Sequence, residues 1–260
     1  MAKVLIFAGT TEGRILAKRL KEQGCQVLVS VATDYGKELL EDVSVPIYTG
    51  RMDGKEMAEF IRRHSIDLVI DATHPYAKEV TKEILCACKE TGTERIRCLR
   101  QEELLTAEEE EQLAPWIVHV SSAEEAAQWL KGKKGNVLLC TGSKELAFFA
   151  AIPDFEQRIY ARVLPVPSVL TCCKKLGLKG RHVIAAQGPF SMNFNIAMIQ
   201  EYDCRVLVTK DGGKEGGYLE KIKAAAKAKI PALVIDRPKE ETGMSAEEVM
   251  QWYETRKQRL

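Results

Sequence analysis

Short, nearly continuous apolar runs alternate along this chain with longer segments whose apolar positions recur every three or four residues. In the first half the runs are VLIFA (4–8), QVLVSVA (26–32), VPIY (45–48), DLVIDA (67–72) and RIRCL (95–99). Unbroken apolar stretches of this length mark strands buried on both faces. Amphipathic spacing predicts helices over 12–23, 36–41, 53–64 and 76–91. A βαβ series of this kind implies a parallel sheet with helices on both sides.

The texture changes at QEELLTAEEEEQ (101–112), where glutamates cluster and β-branched residues nearly vanish, the mark of a solvated helix or linker at a domain border. Beyond it the alternation resumes, with strands over 116–120, 136–142, 158–164, 182–188, 205–210 and 231–236. Helices are expected over 122–131, 143–150, 167–176, 191–201, 217–229 and 245–258. The expected fold is therefore α/β, with two Rossmann-like doubly wound parallel-sheet domains, 1–112 and 113–260.

Composition narrows the class. The 260 residues are 45% hydrophobic and 29% charged, ordinary for a globular enzyme. With 38 Lys plus Arg against 37 Asp plus Glu, the net charge of +1 offers no broad basic face to nucleic acid or an anionic membrane. An anionic ligand must then be met by a local cluster of cations. The eight cysteines form no CxxC pair and sit mostly in apolar runs, so neither a disulfide framework nor a metal site is expected. The start MAKVLIFAG lacks the layout of a signal peptide and no stretch is long enough to span a bilayer, so the chain reads as cytoplasmic.

In open parallel sheets, ligands bind beyond the carboxyl ends of the strands, where strand order reverses. The opening strand ends in AGTTEGR (8–14), a partial dinucleotide fingerprint in which Gly9 and Gly13 stand but Thr10 and Thr11 replace the middle glycine. Threonine hydroxyls and a helix N-terminus can both serve a phosphate, although a plain glycine turn with Thr11 as helix cap explains the same string. Arg14 opposes the helix dipole from the first turn, which suggests a bound anion. At the end of the second strand Ser30 and Thr33 come before Asp34, rather than a clean carboxylate, a pattern that slightly favours NADPH over NADH. DATHPYA (71–77) sets Asp71, His74 and Tyr76 around a strand end, with His74 able to deliver a proton or only to cap the turn. TKDGGKEGG (209–217) places Lys210 and Asp211 before Gly212 and Gly213, a loop able to close over a ligand or simply to be solvated. Gln187, Ser191 and Asn193 add neutral donors, and Arg51, Lys78, Lys144 and Arg162 complete an anion-binding rim.

Tyr253 and Lys257 reproduce the YxxxK spacing of short-chain dehydrogenases, but far from any strand end, where the match reads as coincidence. No GxxxxGK[ST], HExxH or GxSxG occurs, which argues against a Walker-type phosphotransferase, a zincin and an α/β-hydrolase.

Taken in order, AGTTEGR, DATHPYA, QGPFS and TKDGG resemble the precorrin-6A reductase family of cobalamin biosynthesis, over nearly the whole chain. The resemblance implies two Rossmann-like domains around an interdomain cleft, strand exchange between them, and hydride transfer from NADPH or NADH to a carboxylate-fringed tetrapyrrole. By the same resemblance, Gly9, Thr10, Thr11, Glu12 and Arg14 serve nucleotide or cleft binding, Lys210 and Asp211 lie near the reacting face, and His74 is a secondary candidate for proton delivery; Gly13, Ser30 and Thr33 join the cofactor candidates from the residue pattern itself. Arg51, Tyr76, Arg162, Gln187, Ser191, Asn193, Gly212 and Gly213 are the candidates for the anionic tetrapyrrole. Two other readings compete: a two-lobed nucleotide sensor without chemistry, and an S-adenosylmethionine-dependent tetrapyrrole methyltransferase.

Overall fold

The computed structural model describes residues 2–99, 105–237 and 242–257. These fall into two compact units, one formed by 2–99 with 242–257 and the other by 105–237.

In the first unit the strands are β1 (Lys3–Ala8), β2 (Gln26–Val31), β3 (Ile47–Thr49), β4 (Leu68–Ala72) and β5 (Glu94–Arg97). They pair in parallel in the order β3-β2-β1-β4-β5. Helices α1 (Thr11–Glu22), α2 (Asp34–Glu38), α3 (Gly54–His64) and α4 (Lys78–Thr91) connect them. Val4 and Ile6 of β1 face the cluster under α1, and Leu5 and Phe7 face the one under α3 and α4. Burial on both faces is why these strands read as unbroken apolar runs. Helix α3 starts sharply because Asp53 and Glu56 form a capping box, each side chain accepting from the other's backbone amide.

In the second unit, β6 (Ile117–Val120), β7 (Asn136–Leu139), β8 (Ile159–Val163), β9 (Val183–Ala185), β10 (Cys204–Lys210) and β11 (Ala232–Ile235) form a parallel sheet in the order β6-β11-β10-β7-β8-β9. Its helices are α5 (Ala107–Leu113), α6 (Ala123–Lys131), α7 (Leu146–Phe149), α8 (Phe155–Arg158), α9 (Pro167–Lys175), α10 (Met192–Glu201) and α11 (Tyr218–Lys227). Thr106 and Glu109 box the start of α5, so the glutamate-rich border is helical from Ala107; residues 101–104 of that expectation lie outside those described.

The last helix, α12 (Ala246–Arg256), returns to the first unit. Val249, Met250 and Tyr253 share a cluster with Leu16, Ala17 and Leu20 of α1. Cys98 and Met244 form a parallel bridge beside β5, with Leu99 N–H donating to Met244 O at 2.8 Å. The chain therefore does not divide once after residue 112, as a linear reading proposes, because its final apolar stripe belongs to the opening domain. Position 258, assigned to this helix from sequence, lies outside the described residues. Tyr253 of the YxxxK match is a core residue, and burial with a bond to Cys25 pushes its phenol up to about 12.

Local signals shift other boundaries. Thr33 caps α2 by accepting from Gly36 N–H at 3.1 Å, so the helix predicted over 36–41 begins earlier and gives way to a 3-10 turn at Glu41–Val43. The strand predicted over 182–188 stops at Ala185, and a cis Gly188–Pro189 bond follows. The helix predicted over 143–150 contracts to Leu146–Phe149, and the short α8 was not legible.

One close approach governs the first unit's ligand edge. A Cβ added at Gly13 would lie 3.1 Å from Ala8 Cβ and 3.2 Å from Ala72 Cβ, so glycine lets α1 sit directly on β1 and β4. Gly13→Val is expected to lower stability by about 1–3 kcal/mol through overpacking, read from the urea midpoint. An unchanged midpoint would contradict this helix-on-strand contact.

Candidate functional site

Strand order reverses between β1 and β4 in the first unit and between β7 and β10 in the second. At each reversal the neighbouring crossovers leave in opposite directions and open a crevice at the strand ends. The predicted strings fall there: AGTTEGR and DATHPYA after β1 and β4, CTGSKE and TKDGG after β7 and β10.

At the first crevice Thr10, rather than Thr11, is the N-cap of α1. Its hydroxyl donates to Ala72 O at 3.0 Å and accepts from Gly13 N–H at 3.4 Å, tying the loop after β1 to the end of β4. Thr10 is thus a structural clasp as well as part of the loop. Gly9 lies against the backbone of Thr73 and His74. Thr11 and Glu12 are half-buried at the helix start, and Arg14 is exposed in the first turn. Ser30 is buried within β2, and Thr33 is committed to its cap. Arg51 is exposed after β3.

The His74 turn rests on a buried ion cluster. Asp71, fully buried in β4, accepts from Arg95 at 2.9 Å and from Arg97 at 3.0 Å, both on β5. Arg97 also donates to Thr73 O at 3.0 Å, and the Thr73 hydroxyl donates to Asp71 Oδ1 at 2.7 Å. The carboxylate read as a strand-end feature is therefore the hub that fixes the backbone entering His74. His74 Nδ1 accepts from Tyr76 N–H at 3.3 Å, and Ala77 N–H donates to His74 O at 2.8 Å. Accepting at Nδ1 assigns the proton of the neutral ring to Nε2. The Tyr76 ring lies 5.6 Å from that of His74.

At the second crevice Lys210 pairs with Glu145 at 2.7 Å, joining the end of β10 to the start of α7. Asp211 is held by Arg237, whose Nε donates to Asp211 O at 3.0 Å and lies 3.2 Å from its carboxylate; Gly213 N–H donates to Asp211 Oδ1 at 3.3 Å. Gly213 has φ 61° and ψ −164°, a conformation open only to glycine, which lets the loop double back after Gly212. Arg162, half-buried at the end of β8, donates to Asn195 Oδ1 at 2.7 Å and stands 4.5 Å from the Phe190 ring centroid. Phe190 and Phe194 stack at 5.2 Å, and Phe194 is 48% exposed. Ser191 caps α10, while Gln187 and Asn193 are exposed.

Several residues of this edge escaped the sequence reading. Asn195, fully buried, orients Arg162 and donates to the carbonyls of Phe190 and Ser191, whereas its exposed neighbour Asn193 drew notice. Arg237 and Glu145 are recognisable only once β11 and β7 flank β10. Lys221 left a readable trace: it occupies the buried stripe of α11 with Tyr218, Ile222 and Ala225, where an apolar residue belongs. Burial, aided by the like charge of Arg162, lowers its ammonium to about 8 against the attraction of Cys140 and Asp211. Among the described residues no three His, Cys, Asp or Glu side chains gather as metal ligands, and no helix is long and apolar enough to cross a membrane.

Fold and crevices together define a two-unit, all-parallel α/β protein whose polar and charged residues gather at two topological switch points. The sequence model of the family described as precorrin-6x reductase CbiJ/CobK matches residues 3–254, and the chain belongs to that family. It is 36% identical over 242 residues to the cobalt-precorrin-6A reductase of Priestia megaterium, covering 92% of each chain. It is 33% identical over 235 residues to the cobalt-precorrin-6A reductase of Salmonella typhimurium, covering 90% of this chain and 87% of that one. Among solved structures, one described as CobK precorrin-6A reductase superposes with a TM-score of 0.78 at 25% identity, covering 98% of this chain and 97% of that one.

Two measurements test the buried charges. Asp71→Asn is expected to cost about 3–5 kcal/mol, because two guanidinium groups lose their buried counter-charge; a loss below about 1 kcal/mol in urea unfolding would contradict the hub. For Lys221, the folded chain releases its proton near pH 8 while the unfolded chain keeps it until near 10.5. The unfolded state binds more protons in that window, so this residue makes stability rise with pH there. Buried thiols such as Cys98 and Cys204, pushed up to about 12, act in the opposite sense at alkaline pH. The contribution of Lys221 is therefore read as the difference between wild type and Lys221→Met, whose curves should converge from pH 8 to 10.5.

Proposed function

We propose that this chain reduces a precorrin-6A-type tetrapyrrole, with cobalt-precorrin-6A as substrate and NADPH as reductant. The observation that carries the reading is the family match across residues 3–254, which spans the loops of both switch points. The nucleotide-sensor and methyltransferase alternatives have no comparable support.

The residues of the first crevice fit a dinucleotide. Gly13 brings the start of α1 onto β1 and β4, and no side chain at Gly9 fills the space over Thr73 and His74. The N-terminal turn of α1 would hold the pyrophosphate through its dipole and amides, with Arg14 as counter-charge. No carboxylate precedes Asp34 at the end of β2, which favours a 2′-phosphate over a bare ribose hydroxyl. When bound, the nicotinamide supplies hydride.

The chain's own residues supply position and charge. Arg162, presented by Asn195 and Phe190, pairs with a substrate carboxylate, and the Phe190–Phe194 pair offers an aromatic face to a broad ring. Lys210, steadied by Glu145, stands at the strand end as a charge-stabilising or proton-donating group. Asp211, held by Arg237 and by the Gly213 amide, shapes the loop that follows Lys210. His74 presents Nε2 as a second donor.

Mixing the protein with NADPH and cobalt-precorrin-6A should give tetrapyrrole-dependent loss of nucleotide absorbance, faster than with NADH. No such loss with either nucleotide would overturn the reading. Lys210→Ala should lower kcat on the order of a hundredfold while leaving the NADPH Kd within about threefold; wild-type turnover in the variant would remove Lys210 from the chemistry.

A further inference from the structure

We infer that Lys221 is an anchor for a carboxylate of the substrate, forming with Arg162 a recessed cationic pair at the ligand edge of the second sheet. The inference rests on the reading of the chain as a tetrapyrrole reductase and assigns one of its substrate contacts.

Three features set Lys221 apart. It is 6% exposed, and among the described residues no hydrogen bond or ion pair satisfies its ammonium. Other cations at this edge have such partners: Lys210 has Glu145, Arg237 has Asp211, and Arg162 has Asn195. Asp211 and Cys140 attract it only as charges beyond pairing distance, and Lys is almost never so buried unless directly paired. The residue's place on α11 directs its charge. Side chains on a helix lean toward its N-terminus, and α11 begins where the loop after β10 ends, so Lys221 reaches back toward the carboxyl ends of the strands. The charged and titratable groups felt there are Cys140 beyond β7, Arg162 on β8 and Asp211 beyond β10.

The dipole argues the same way. Lys221 is in the first turns of α11, where a cation is disfavoured. Burial and the like charge of Arg162 outweigh the attraction of Asp211 and Cys140, the helix dipole adds to the cost, and a purely structural role is served better by methionine or leucine of similar volume. An incoming carboxylate offsets that cost with a direct opposite charge. A ring fringed with carboxylates provides that group, and a recessed, partly desolvated cation grips it more firmly than an exposed lysine does. With its ammonium lowered to about 8, binding of an anion draws a proton onto Lys221 from about pH 8 upward.

The test uses the full chain, with Lys221→Met and Lys221→Arg, and two tetrapyrrole probes. Uroporphyrin III binding without nucleotide reports on the anchor, and turnover of cobalt-precorrin-6A reports on the functional reading. Lys221→Met should raise the uroporphyrin Kd at least about tenfold, with Lys221→Arg recovering part of the loss. It should leave the NADPH Kd unchanged and hold or raise the Tm, because a buried charge has been replaced by an apolar group of similar size. A structural lysine predicts the reverse: lower Tm and both ligands weakened together. That result, or a wild-type uroporphyrin Kd in Lys221→Met, overturns the inference. If wild type binds uroporphyrin through Lys221 but never reduces cobalt-precorrin-6A, the anchor stands and the assigned reaction falls.

Discussion

Parallel strand pairing is the constraint from which the rest of this molecule follows. A parallel ladder cannot be closed by tight hairpins, so every strand must be followed by a crossover that carries the chain back to the opposite edge. All strand-to-helix turns then collect on one edge of each sheet, and the helices that follow point their N-termini toward it. Strand order reverses between β1 and β4, and again between β7 and β10, and those are the places where the turns part. Glycines, capping hydroxyls and charged groups concentrate there because the backbone elsewhere is committed to ladders and apolar packing.

The two edges are stiffened by different means. The first relies on a buried charge hub: Asp71 lies between Arg95 and Arg97, and Arg97 also grips the carbonyl ahead of His74. Such a cluster is a poor source of net stability, but it leaves few alternative positions for the turn it holds. The second relies on pairs that bridge neighbouring elements: Lys210 to Glu145, Asp211 to Arg237, Arg162 to Asn195. Each of these fixes a polar side chain at a strand end by a partner from another loop or helix, so that charge is placed in advance.

Much of this was legible in the order of residues. Burial on both faces makes parallel strands unmistakable, and the switch-point strings carry glycine and hydroxyls where turns need them. Caps were less visible: Thr10 rather than Thr11 closes α1, a difference of one residue that depends on which hydroxyl reaches Ala72 O. Partners distant in sequence were invisible in principle. Nothing near Asp211 announces Arg237, because the two meet only when β11 lies beside β10. Asn195 was hidden by its apolar neighbours, and Lys221 could have been caught as a charge in an apolar stripe. The final helix was assigned to the nearer domain because linear proximity is the only guide a chain offers before it folds.

That final helix has a consequence for biosynthesis. The second unit is contiguous in the chain and has all its described strands and helices once residue 235 has emerged from the ribosome, whereas the hydrophobic layer over α1 is completed only by Val249, Met250 and Tyr253. The half of the molecule translated first is thus sealed last, and Leu16 and Leu20 wait without their cover through most of synthesis. A chain interrupted before Val249 keeps every described strand and helix of the second unit while α1 lacks its cover, so α12 decides when the front half is sealed.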